Sequence, residues 1–201
     1  MPVLFYFYFF KPCYSAFKFF FNIMETDIEK LKYPIGNYKR KLNITPEDVQ
    51  SYIDTIEALP EKLKETISEL NDVQLDTQYR PGGWTIRQVV HHLPDSHLNA
   101  YVRMKLAITE DKPHIKTYDE AKWAELPDAI TSPAEPSLIL VEGLHKRWVL
   151  FLRTLTPGQL KRTLIHPELG ERAVDDMIGM YAWHGEHHLA HIKGLIEKMG
   201  W

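Results

Sequence analysis

Apolar residues recur three and four positions apart along four long stretches of this 201-residue chain, and that period constrains the fold more than any other feature. Thr45-Pro46 reads as an N-cap followed by Pro at the first helical position, opening a helix from Pro46 to Leu70 with a kink at Pro60. Asn71–Gly83 reads as a loop. Thr85 and Gln88 form a capping-box pair that starts a second helix running to about Glu110. Pro94 is expected to bend it, because a proline offers no N–H to the carbonyl of Val90. Asp111–Pro136 is expected as a long connection anchored by Tyr118 and Trp123. A third helix is expected over Ser137–Leu155, a turn at His166-Pro167 and Gly170, and a fourth helix over Asp175–Met199 with Gly200 past its end. Four amphipathic helices with few strand signals predict an all-α protein, a four-helix bundle.

The average composition conceals two unlike parts. Eight of the nine Phe and three of the ten Tyr lie within Met1–Ile23, where the only charges are Lys11 and Lys18. A spanning helix needs about 20 consecutive apolar residues, and this run breaks at Lys11-Pro12 and again at Lys18. A secretory signal needs a basic start and a small-residue cleavage site, and the segment has neither. Translation is therefore expected to begin at Met24, with residues 1–23 an aromatic-rich extension outside the fold; a membrane anchor is the rival reading. Residues 24–201 are expected to form one cytoplasmic domain.

That domain holds 22 basic and 27 acidic side chains, which argues against nucleic acid as a partner, since counterion release needs a basic excess. A hydrophobic fraction of 44% excludes a disordered chain. The single cysteine, Cys13, lies in the extension, so the domain has no disulfide, no multi-cysteine metal site and no thiol nucleophile.

Ten histidines remain, and seven fall on two helices: His91, His92 and His97 on the second, and His184, His187, His188 and His191 on the fourth. Bundles build metal sites from side chains on facing helices. Taking His184 as zero, the apolar stripe of the fourth helix falls between roughly 20° and 120°, with His188 inside it at about 40° and His184 at its edge. His191 lies further off at about 340°, and His187 faces away at about 300°. On the second helix His92 borders the apolar stripe, His91 lies on the far side and His97 points inward. A polar row, His92, Ser96, Asn99 and Arg103, runs beside that stripe as a pocket wall would. His92, His184 and His188 then make a three-imidazole site suited to Zn²⁺, or to Ni²⁺ or another divalent transition metal, with coordination left open for water or substrate. His97, His145 and His191 are read as core or supporting residues, and His114 and His166 as loop residues.

Tyr33-Pro34-Ile35-Gly36, the run from Pro81 to Ala107 and the stretch Tyr181–Ile192 resemble the DinB-like superfamily, more narrowly its YfiT group of metal-dependent hydrolases. Tyr118-Asp119-Glu120, Trp123 and His145-Lys146-Arg147-Trp148 add to the resemblance, which covers Leu31 to Trp201. It implies an up-down-down-up bundle, one divalent metal per subunit and a homodimer. It also implies ligands at His92, His184 and His188, and so excludes His97, which the helical wheel alone left open. Pro94 departs from the family pattern, where a helix former is usual.

Three functions follow as expectations. The first is hydrolysis of a small-molecule substrate, since Zn²⁺ can lower the pKa of water to about 7. Its general base is not legible: Asp95 and Glu186 adjoin the ligands in sequence but point away from the pocket. The second is transfer of a low-molecular-weight thiol such as bacillithiol. The substrate would bring the sulfur and Arg103 would hold its carboxylate. The third is a non-catalytic metal-binding or dimerising bundle, with Trp84, Trp148 and Trp183 as core or interface aromatics.

Overall fold

The computed structural model describes residues 28–201, and the expectations about residues 1–23 and Met24 lie outside them. Four long helices form the frame: α1 (Pro46–Ile67), α2 (Ile86–Thr109), α3 (Glu135–Arg153) and α4 (Val174–Met199). Each start has a local cause. Thr45 accepts from the backbone N–H of Asp48 while the Asp48 carboxylate accepts from that of Thr45, and Pro46 follows at the first helical position. Thr85 and Gln88 reciprocate at the start of α2, as expected. Gly200 ends α4 in the left-handed conformation, at φ 69°. Pro60 and Pro94 lie inside helices that continue through them.

Helix directions follow from side chains that meet. His91 meets Ser137, His97 meets His145 and Tyr101 meets Phe151, so α2 and α3 run parallel. Tyr52 packs at Gly179, Leu59 at Gly185, and Lys62 donates to Glu186, so α1 and α4 run parallel. His92 lies against His188 and His97 against Tyr181, so α2 and α4 oppose. The chain therefore runs up-down-down-up, and α1 is neighbour to α3 and α4 rather than to α2.

The core has two apolar halves. One gathers Leu59, Leu63, Leu93, Val141, Leu189 and Ile192. The other gathers Ile53, Ile56, Met104, Trp148, Ile178 and Tyr181. Between them the helices carry imidazoles: His97 between Leu93 and Ala100, His145 between Val141 and Trp148, and His184 and His188 between Ala182 and Leu189. A polar layer thus crosses the bundle at the level of the site.

Three connections are more structured than the sequence suggests, the first being Asn71–Gly83, where Asn71 caps a helical turn at Asp72–Leu75. The segment after α2 contains helical turns at Glu120–Ala124 and Pro127–Thr131. Before α4 the chain forms an antiparallel hairpin, β1 (Thr163–His166) and β2 (Gly170–Ala173), with Gly170 at φ +70° in the turn. Arg87 at the start of α2 ties down both flanking loops, bonding Asp76 at 2.6 Å, Asp72 at 2.8 Å and the Ser132 carbonyl at 3.0 Å. Among the described residues no helix is long and apolar enough to cross a membrane.

Candidate metal centre

One ligand nitrogen from each of His92, His184 and His188 lies within 4.8 Å of the other two. His92 sits one turn and a half into α2; His184 and His188 are one turn apart on α4, so their rings project side by side toward it. The Nε2 atoms of His92 and His184 are 3.3 Å apart. Burial holds the His92 imidazole near 4. Burial, then the neighbouring imidazoles, push His184 and His188 well below their ordinary value. All three are thus neutral at pH 7 and present lone pairs. Two nitrogens bound at 2.0–2.1 Å to one tetrahedral ion would be about 3.3–3.4 Å apart, so the donor set and its spacing fit a metal.

The surroundings hold the rings in place. The Trp84 ring lies 4.7 Å from that of His92 and stacks on His188 at 6.2 Å. His184 Nδ1 lies 3.1 Å from His97 Nε2. His97 is wholly buried and turned inward, as the wheel indicated, yet stands behind the three-imidazole group rather than in it.

His187 points away from the bundle, as the wheel has it, yet it is buried. It is 7% exposed, stacks on Trp183 at 4.5 Å and lines the cavity. Its outward direction on α4 is covered by the lead-in segment, with Tyr33 6.0 Å from its ring. His191 is buried by the same segment: its Nε2 donates to the Lys32 carbonyl at 3.0 Å and its ring stacks on Tyr79. A helical wheel sees only the bundle side, and these rings are enclosed by chain outside the bundle.

A cavity of about 700 Å³ opens over the three imidazoles. From the polar row of α2 it takes His92, Ser96 and Arg103. Asn99 is not in its wall; its amide folds back onto the Asp95 carbonyl at 2.9 Å. Arg103 is 8% exposed and donates to the Lys116 carbonyl, its Nε has no partner, and no described carboxylate pairs with it. Tyr118, Glu120, His166 and Glu168 also line the cavity, brought by the connections on either side of α3. Sequence reading missed them as site residues, because nothing local shows where a loop will dock. Burial and the Glu168 charge raise the Glu120 carboxyl. Asp95 and Glu186 stay outside the cavity, as expected: burial lifts Asp95 to about 6, and Glu186 pairs with Lys62 at 2.7 Å. Trp148 is core, packed edge-on to His97 and His145.

Fold and site together define a four-helix bundle carrying a three-histidine centre under an open cavity. The chain belongs to the DinB superfamily, whose family model matches residues 55–192. It is 55% identical over 170 residues to an Oceanobacillus iheyensis protein named "Putative metal-dependent hydrolase", covering 85% of this chain and 98% of that one. A Bacillus mycoides protein of the same name is 51% identical over 174 residues, covering 87% and 100%. The solved structure of YfiT from Bacillus subtilis, described as "a probable metal-dependent hydrolase with an unusual four-helix bundle topology", superposes with a TM-score of 0.84. It shares 48% identity and covers 86% of this chain and 99% of its own.

Proposed function

We propose that this protein is a metal-dependent hydrolase of small molecules, with one divalent ion, zinc foremost and Ni²⁺ the chief alternative, held by His92, His184 and His188. The observation that carries the reading is three neutral imidazoles converging at the floor of a cavity of about 700 Å³. When bound, such an ion supplies Lewis acidity that brings the pKa of water, or of a substrate thiol, toward neutrality. The chain supplies the rest. Arg103, a charge-bearing fork with an unpartnered Nε and no salt bridge among the described residues, binds an anionic group of the substrate. Glu120, with its raised carboxyl facing the same cavity, accepts the proton. Trp84 excludes water from one side of the imidazoles.

One observation favours a second reading, transfer of a low-molecular-weight thiol. Glu120 and Glu168 stand on the connections between the long helices rather than on the helices of the three histidines, and a thiol needs no such base. The test is metal content of the purified protein, followed by turnover of a panel of esters and amides with and without a carboxylate, beside conjugation of a thiol to an electrophile. Zinc in stoichiometric amount and turnover of carboxylate-bearing esters or amides support hydrolysis. Conjugation alone supports transfer. Metal that persists in His92→Ala/His188→Ala removes both.

A homodimer is proposed as well. α2 exposes Leu98 and Val102, and the parallel α3 exposes Ile139, Leu140 and Leu150, apolar side chains that a second copy would cover. Light scattering of the native chain beside Val102→Glu checks it: a monomeric native chain would end that proposal.

A further inference from the structure

Behind the three-histidine group runs a chain of buried hydrogen bonds that ends on the backbone of α1. His184 Nδ1 lies 3.1 Å from His97 Nε2, and His97 Nδ1 lies 2.8 Å from His145 Nε2. His145 Nδ1 lies 2.6 Å from the carbonyl oxygen of Ile56. His97 is 0% and His145 1% exposed, in the layer between the two apolar halves of the core. No described carboxylate bonds to any of the three rings.

We infer that His97 and His145 are positioning residues, through which the Ile56 carbonyl sets the tautomer of His184 and leaves its Nε2 bare toward the metal position. A carbonyl oxygen only accepts, so His145 must carry its proton on Nδ1. Its Nε2 is then an acceptor, and His97 must donate from Nδ1. His97 Nε2 is an acceptor in turn, and His184 must donate from Nδ1. The reverse order would set a bare His145 Nδ1 against the carbonyl lone pairs at 2.6 Å, and would aim the His184 Nε2–H at His92 Nε2, 3.3 Å away. One backbone oxygen on α1 thereby governs a side chain on α4, through α3 and α2. Each ring is stacked or crossed by its neighbours, His97 lying parallel to His145 at 5.0 Å, so the rings are held against flipping. A partner that orients a ligating imidazole typically contributes 10–100-fold in metal affinity.

The inference rests on the three-histidine metal reading, and two measurements keep their failures apart. Long-range ¹⁵N–¹H spectra of the metal-free native protein, with labelled histidine, report the tautomers directly. His145, His97 and His184 are expected all to be protonated on Nδ1, the less populated form of free imidazole in water. His184 protonated on Nε2 would overturn the inference, whether or not any variant folds. Zinc competition against a chromophoric chelator then compares native protein, His97→Leu and His97→Gln. His97→Leu is expected to weaken zinc by about 10–100-fold. His97→Gln, whose amide can accept from His184 and donate to His145, is expected to recover most of that loss. Native affinity in a folded His97→Leu would also overturn the inference. A native protein that binds no zinc would instead fail the metal reading, with the tautomers still legible.

Discussion

Arg103 keeps a charged guanidinium 8% exposed with no salt bridge to a carboxylate among the described residues, the Glu120 carboxyl acting on it only across the cavity. A buried charge without a contacting ion-pair partner is costly, and an apolar side chain of similar size is often neutral or stabilising there. Arg103→Met is therefore expected to hold or raise the thermal midpoint while abolishing any preference for carboxylate-bearing substrates. Arg103→Lys, which keeps the charge but not the fork, is expected to retain part of that preference with a raised KM. A midpoint lowered by several degrees in Arg103→Met would show that the guanidinium serves structure instead. At the ligands the expectation is sharper. His92→Ala removes one of three nitrogens, so zinc affinity should drop by more than about 100-fold, beyond what an orienting residue contributes. Equilibrium dialysis reads that loss.

α1 packs against α4 at a pair of glycines that leave no room for a Cβ. A Cβ built on Gly185 would meet Leu59 Cδ2 at 2.5 Å, and one on Gly179 would meet Tyr52 Cε2 at 2.8 Å. Leu59 is 1% exposed and has nowhere to move, whereas Tyr52 is only half-buried and its ring can swing outward. Gly185→Ala is expected to cost about 1–3 kcal/mol by overpacking, and Gly179→Ala distinctly less. Urea unfolding of the two variants ranks them; an equal or reversed order would contradict the close packing of α4 on α1. Because His184 and His188 flank Gly185, the first variant should also loosen zinc. At the start of α2 the reciprocal Thr85–Gln88 cap precedes His92 by two turns, and Thr85→Ala is expected to cost about 1 kcal/mol in the same measurement.

For the molecule as a whole, the buried imidazoles make stability depend on pH. Burial holds His92, His145 and His187 near 4 and pushes His97, His184 and His188 well below the ordinary 6.5. Below pH 6.5 the unfolded chain takes up protons that the folded one refuses, so acid favours unfolding. The metal-free protein is expected to keep its full stability above about pH 6.5 and to lose it steadily toward pH 4. Urea midpoints at pH 7.5 and 5 measure this; equal midpoints would contradict it. Bound zinc should steepen the dependence, since protons compete for the same nitrogens.

The helices were legible in the sequence through short-range periodicity, with caps at Thr45 and Thr85 and apolar stripes, and so was an i, i+4 pair at His184 and His188 beside the stripe. The full set of three proposed ligands also needed the family resemblance, because the wheel alone left His97 open. The packing partners of the histidines were not legible. His187 and His191 are buried by residues 32–33, about 155 positions away, and Glu120 and His166 reach the cavity from connections whose docking no local pattern encodes. The link from His184 to Ile56 passes through all four helices, so only their assembled packing could reveal it. Sequence by itself determined which faces are apolar and where imidazoles interrupt them, because those follow from 3.6 residues per turn. Tertiary structure alone decided which imidazoles meet, which way each is protonated and what closes over them, because these depend on contacts between segments far apart in the chain.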